Sequence, residues 1–204
     1  MISGSVSHLI DLTMKNAILF FLALFLTSAA VCQDPALLRP PKGTQVAIVV
    51  FEDLECPMCR VNAPLEASAA KAHKIPLVRH DFPLPMHQWS YKGAVLARYF
   101  DTQGKLGNDF RDYLFHHQSE ITADNLQSFA SKFAAEHKID LPFVIDPQGK
   151  LAAAVDADKV LGRKVGIQHT PTIYVVSSRN PQRPFVEVTD VKQLFQIIEA
   201  VQSE

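Results

Sequence analysis

The sequence predicts an α/β domain: a mixed central sheet with helices on both faces and a helical block inserted in its middle. Three observations carry this. Two apolar runs, residues 46–51 and 75–82, flank an alanine-rich helical stretch, the pattern of a parallel strand–helix–strand unit. A long helical tract then fills residues 87–165. The chain closes with two short β-rich runs around a turn and a final amphipathic stretch, which reads as an antiparallel hairpin and a helix.

Composition bounds the answer. The chain has 204 residues, is 48% hydrophobic and carries a formal net charge of −1, which suits one soluble globular domain with a sizeable core. Near-zero charge gives no electrostatic case for nucleic acid. Three cysteines are too few for a disulfide-stapled scaffold.

Residues 1–32 read as a secretory signal. The apolar run 17–26 follows Lys15 and precedes Thr27-Ser28-Ala29-Ala30, the pattern of a charged region, apolar core and small-residue cleavage site. Met14 makes the more ordinary start. An uncleaved anchor is the competing reading, although the run is short for a span. Cys32 is either lost on cleavage, left as a terminal thiol, or lipidated as in a bacterial lipoprotein; Val31 before it argues against lipidation. Residues 33–45 form an extended lead-in, with Pro35, Pro40, Pro41 and Gly43. The domain proper is 46–204.

Within it, the continuous apolar run 46–51 reads as a strand buried on both faces. Residues 57–74 read as a helix with Leu65, Ala69 and Ala72 on its apolar face, kinked at Pro64. A second strand over 75–82 is ended by Pro83 and Pro85. Helices are expected at 89–101, 106–116, 122–137 and 147–164, then strands at 172–176 and 185–188. Thr189 or Asp190 caps a last helix with Val191, Leu194, Ile197, Ile198 and Val201 on one face.

The chemistry sits between the first strand and the first helix, in Cys56-Pro57-Met58-Cys59. Pro57 at the first helical position costs no hydrogen bond. The helix N-terminus directs N–H dipoles at the Cys56 sulfur and favours thiolate, the species that attacks disulfides. Half of a zinc site is the alternative, but a structural site needs four N/S ligands and there is no second such pair. An inert structural disulfide is the other, but so short a ring removes little loop entropy. Strand, Cys-Pro-x-Cys and helix together favour redox chemistry.

Three stretches resemble the DsbA-like family of extracytoplasmic thiol–disulfide oxidoreductases, which have a thioredoxin-like fold with an inserted helical subdomain, here about 87–165. They are Phe51-Glu52-Asp53-Leu54-Glu55-Cys56-Pro57-Met58-Cys59, Asp81-Phe82-Pro83-Leu84-Pro85-Met86-His87, and Gly166-Ile167-Gln168-His169-Thr170-Pro171-Thr172. The resemblance implies that Cys56 is the nucleophile, with an exposed sulfur, and Cys59 the buried resolving thiol. It implies that Pro57 and Met58 set the redox poise, and that Thr170 and Pro171, joined by a cis bond, form a substrate-docking loop. It implies protein substrates with cysteines, a membrane redox partner, a periplasmic or other extracytoplasmic location, and no metal or organic cofactor. Disulfide donation is the expected direction; a reductase or isomerase of the same fold, or a non-catalytic assembly or copper-handling thiol protein, are the alternatives.

The chain departs from the family in two places. Many relatives carry a buried acid where this chain has Val50. Glu52, Asp53 and Glu55 lie nearby but read as a solvated acidic rim. Met58 replaces the histidine of the best-known oxidases and brings no positive charge, so a reduction potential of roughly −120 to −270 mV is expected. His169 reads as an exposed loop residue, and His87 has no role apparent in the sequence.

Overall fold

The C-terminal end of β1 organises the molecule. The computed structural model describes residues 37–204, so the expected signal segment and Cys32 lie outside the described residues. The described chain runs β1 (Val46–Glu52), α1 (Pro57–His73), β2 (Leu77–Asp81), α2 (Ser90–Thr102), α3 (Gly107–His116), α4 (Leu126–Glu136), α5 (Lys150–Val165), β3 (Thr172–Ser177), β4 (Phe185–Glu187) and α6 (Leu194–Ser203). The sheet order is β2-β1-β3-β4. β1 pairs parallel with β2 and antiparallel with β3, and β3 pairs antiparallel with β4. This is the thioredoxin-like mixed sheet with a helical insertion that the sequence predicts.

β1 is buried at every position because both sheet faces are covered. Val46, Ile48 and Val50 pack with Ala69 and Ala70 of α1 and with Leu194, Ile198 and Val201 of α6. Ala47, Val49 and Phe51 face the other way, onto Val165, Ile167 and Leu38. Leu38 belongs to the expected extended lead-in, yet it is only 2% exposed and completes that layer.

A third core fills the insertion, and it does not stop at the insertion's edge. Phe100, Phe110, Leu114, Phe129 and Phe133 pack in one cluster with Leu54, Cys56, Cys59 and Ala63. The cysteine pair is therefore set into the insertion's core as much as onto the sheet.

Element ends follow local chemistry. α4 starts at Leu126, not at 122, because Thr122 and Asn125 cap each other: each side-chain oxygen accepts the other's backbone N–H, at 2.7 and 3.3 Å. α5 starts at Lys150, after Gly149 turns the chain at φ 66° and Asp146 accepts the Ala152 N–H at 2.8 Å. Ahead of α6, Asp190 accepts the Lys192 N–H, as a capping residue should.

The apolar face expected for α1 needs correction. Leu65 is half-buried and Ala72 is exposed. The buried positions are Cys59, Asn62, Ala63, Glu66, Ala69 and Ala70, because α1 is covered by the insertion at its start and by the sheet further along. α1 runs through Pro64 to His73.

Candidate active site

Sheet register brings the site together. Phe51 of β1 lies beside His80 of β2 and Thr172 of β3, so the start of β3 meets the turn into α1. Cys56 is the residue before the first helical turn, with extended backbone (φ −75°, ψ 121°), and Pro57 opens α1. The Thr170–Pro171 bond is cis. The Thr170 carbonyl lies 3.3 Å from the Cys56 sulfur and accepts its S–H while the thiol is protonated. This loop corrects one expectation: Cys56 is only 7% exposed, against 2% for Cys59, because the Thr170 backbone covers its sulfur.

The two thiols differ sharply. The Cys56 thiol is lowered to about 5, first by a hydrogen bond from the Cys59 side chain. Burial opposes this, while the Cys59 and Met58 backbone N–H groups add to it. Cys59 is pushed far up, first by burial and then because its proton is held on Cys56. One sulfur is poised as a thiolate and the other keeps its proton. The Cys59 side chain and the backbone N–H groups at the start of α1 do the work expected of a cationic neighbour, so the neutral Met58 does not prevent a low thiol pKa.

The turn that carries the cysteines is held from outside. Gln118 Nε2, beyond the end of α3, donates to the carbonyls of Leu54 (2.8 Å) and Cys56 (3.0 Å). Ser90 Oγ accepts the Leu54 N–H at 3.2 Å, and Glu55 accepts the Trp89 N–H at 2.9 Å. None of these partners is visible in the sequence, because each lies 34 or more positions away.

The solvated acidic rim expected for Glu52, Asp53 and Glu55 is wrong. Glu52 is 2% and Asp53 1% exposed, and Glu55 is half-buried. Glu52 remains within β1 and meets the Arg79 guanidinium at 2.9 Å. Asp53 turns inward beneath the 81–87 loop, and Glu55 ties the start of α2. Met58, by contrast, is 55% exposed. With Asn62, His169, Thr170, Pro171 and Val188 it lines a cleft of about 540 Å³. His169 is exposed, as expected.

A further buried acid stands in α1. Glu66 is 1% exposed and its Oε1 has no hydrogen-bond partner. Burial first, and then the Glu52 carboxylate, raise it to about 8, with Arg79 opposing. A raised carboxyl holds its proton in the folded state where the unfolded chain has lost it, so stability falls as pH rises from about 4.5 to 8. Glu66→Gln should flatten that slope and stabilise the protein at pH 8 by on the order of 2–4 kcal/mol. Chemical denaturation at pH 5 and pH 8 checks this, and an unchanged slope would refute it. Among the described residues, no group of three or more His, Cys, Asp or Glu is placed to hold a metal ion.

A family model described as thioredoxin matches residues 42–187. The chain belongs to the thioredoxin family. No curated protein matches it. Among solved structures, alpha-DsbA1 of Wolbachia pipientis superposes with a TM-score of 0.65 at 17% identity, covering 83% of this chain and 96% of that one. Alpha-DsbA2 of the same organism, titled a thiol-disulfide exchange protein, gives 0.61 at 19% identity, over 79% and 84%. The catalytic domain of Proteus mirabilis ScsC gives 0.59 at 20%, over 81% and 88%. This thioredoxin-family chain therefore has the fold of DsbA-type proteins, helical insertion included.

Proposed function

We propose that the protein is a protein-disulfide oxidoreductase that donates its Cys56–Cys59 disulfide to cysteine-containing protein substrates. The observation that carries this reading is the asymmetric placement of the pair: Cys56 stands just before the first turn of α1 against the Thr170 loop, and Cys59 lies buried one turn on beneath the Asp53 N–H. The Cys56 thiol is accordingly lowered to about 5 and the Cys59 thiol raised by burial. A substrate thiolate attacks Cys56 Sγ, the Cys56–Cys59 bond breaks, and Cys59 leaves as a thiolate that takes up a proton. A second substrate thiolate then attacks the substrate sulfur of the mixed disulfide and expels Cys56. The substrate gains a disulfide and the protein keeps two thiols and two electrons, which a membrane redox partner must remove.

A stabilised Cys56 thiolate stabilises the reduced protein, which makes its disulfide more oxidising. Met58 sets no charge there and lies open at the cleft beside Thr170 and Pro171, where an extended substrate docks. Export through the signal in residues 1–32 places this chemistry in an extracytoplasmic, oxidising compartment; the intact mass of exported protein tests that cleavage.

Cys56 is depressed in the folded reduced protein, so its contribution is complete above the ordinary thiol value near 9 and is lost as pH falls through about 5. At pH 7 the reduced form should exceed the oxidised form in stability by on the order of 2 kcal/mol from this group, with the gap closing toward pH 5. Alkylation of the reduced protein should titrate with a midpoint near pH 5, at Cys56 alone. A midpoint above pH 8, or first labelling at Cys59, would overturn the assignment.

A further inference from the structure

Asp53 touches both cysteines through its backbone. Its N–H donates to Cys59 Sγ at 3.4 Å, and its carbonyl accepts the Cys56 N–H at 3.0 Å. Among the described residues, it supplies the backbone donor aimed at the Cys59 sulfur. When the disulfide opens, a thiolate forms at that buried sulfur, where solvent reaches least. A donor already in place there acts as an oxyanion-hole donor does.

The placement of that amide is itself built. The Asp53 carboxylate is fully buried. It accepts three hydrogen bonds: from the Glu55 N–H at 2.7 Å, the Leu84 N–H at 2.6 Å and His87 Nδ1 at 2.7 Å. Since a carboxylate only accepts, Nδ1 carries the proton. His87 is the single side chain in this clamp. It lies on the loop after β2, 34 positions from Asp53, and does not line the cleft beside Met58. The free energy of burying that carboxylate is offset only while the three donors hold one geometry, and that geometry fixes the Asp53 peptide.

We propose that His87 is a positioning residue for the thiol chemistry of Cys59. It holds Asp53 so that the Asp53 N–H stays aimed at the sulfur that leaves and returns during exchange. This rests on the oxidoreductase reading above and adds to it a residue that touches neither cysteine.

The test uses isosteric substitutions. Asn carries its amide nitrogen where His carries Nδ1, Leu puts a methyl there, and Gln carries the amide one carbon farther out. The measured step is the opening of the Cys56–Cys59 disulfide by glutathione under single-turnover conditions. The glutathione thiolate attacks Cys56 Sγ, the disulfide breaks, Cys59 leaves as thiolate, and a Cys56–glutathione disulfide remains. His87→Leu should slow this about 10-fold, less than the roughly 10²–10³-fold lost when an oxyanion-hole donor is deleted outright. His87→Asn should return it to within about twofold of the natural protein, and the Cys56 alkylation midpoint should stay near pH 5 in both. A purely structural His87 would lower thermal stability without this selectivity. If His87→Leu does not fold, the comparison is His87→Gln, slowed, against His87→Asn, not slowed. Equal rates for the donor-keeping and donor-lacking variants, or a Cys56 midpoint that shifts with the rate, would overturn the proposal. A natural protein whose disulfide glutathione cannot open would overturn the oxidoreductase reading instead.

Discussion

A Cys59→Ser variant should accumulate as a mixed disulfide through Cys56 and lose turnover entirely. The Cys56 thiolate attacks a substrate disulfide and expels one substrate thiolate. The second displacement then has no attacking sulfur, because a serine hydroxyl at that site is neither acidic nor soft enough to replace a thiol. The same variant holds no intramolecular disulfide to donate, so oxidation of a dithiol peptide should fall to the rate without protein. Incubation with oxidised glutathione followed by intact-mass measurement checks this: one glutathione adduct is expected, stable to dilution, where the natural protein forms only the internal disulfide. The substitution also removes the main support of the Cys56 thiolate, the hydrogen bond from the Cys59 side chain. A serine hydroxyl donates in its place, so the Cys56 midpoint should remain acidic. Release of the adduct at the natural rate would show that Cys59 is not the resolving group.

The sequence made some of this geometry legible and hid the rest, and the division is physical. β1 was readable because a strand covered on both faces needs an unbroken apolar run, and residues 46–51 supply one. The start of α1 was readable because Pro57, following a strand and a run of acids, fits best in a first helical turn, which puts Cys56 at the N-terminus. The hairpin and last helix were marked by the change of period after residue 171. Burial of charge was not readable in this way. Glu52, Asp53 and Glu55 are three acids in four positions, a pattern usually found facing water. Glu52 and Asp53 are inside, and Glu55 is half-buried, because Arg79, Leu84, His87 and Trp89 come from β2, the loop after it and the insertion to meet them. Gln118 was invisible for the same reason: a glutamine after a helix carries no local mark of holding a carbonyl 62 positions earlier. The apolar face of α1 does not follow from the sequence because one helix packs against two cores, and no single helical period describes that.

The largest loss of stability should come from the ion network that joins β2 to the insertion. Asp81 is 1% exposed and Arg111 2% exposed. Arg111 Nη2 reaches Asp81 at 2.8 Å and its Nε at 3.1 Å, while Arg98 Nε meets the same carboxylate at 2.7 Å. Arg98 also pairs with Asp158, which accepts from the Asp81 N–H and contacts His80 Nδ1, both at 2.8 Å. Asp81→Asn keeps the shape and removes the charge. Among the described residues, it leaves the Arg111 guanidinium with only distant carboxylates, Asp101 at 3.6 Å and Glu52 at 3.9 Å. Removing one partner of a buried pair costs about 3–5 kcal/mol, because the other charge stays buried. For a chain of this size that lowers the melting temperature by roughly 10 °C. Replacing both partners, Asp81→Leu with Arg111→Met, should cost less than Asp81→Asn alone, since the fully buried Arg111 charge is gone and the part-exposed Arg98 keeps Asp158. Thermal and urea unfolding of the three proteins decides between the two accounts. A single substitution costing under 1 kcal/mol, or a double variant less stable than the single one, would mean that packing, and not charge, holds α3 to β2.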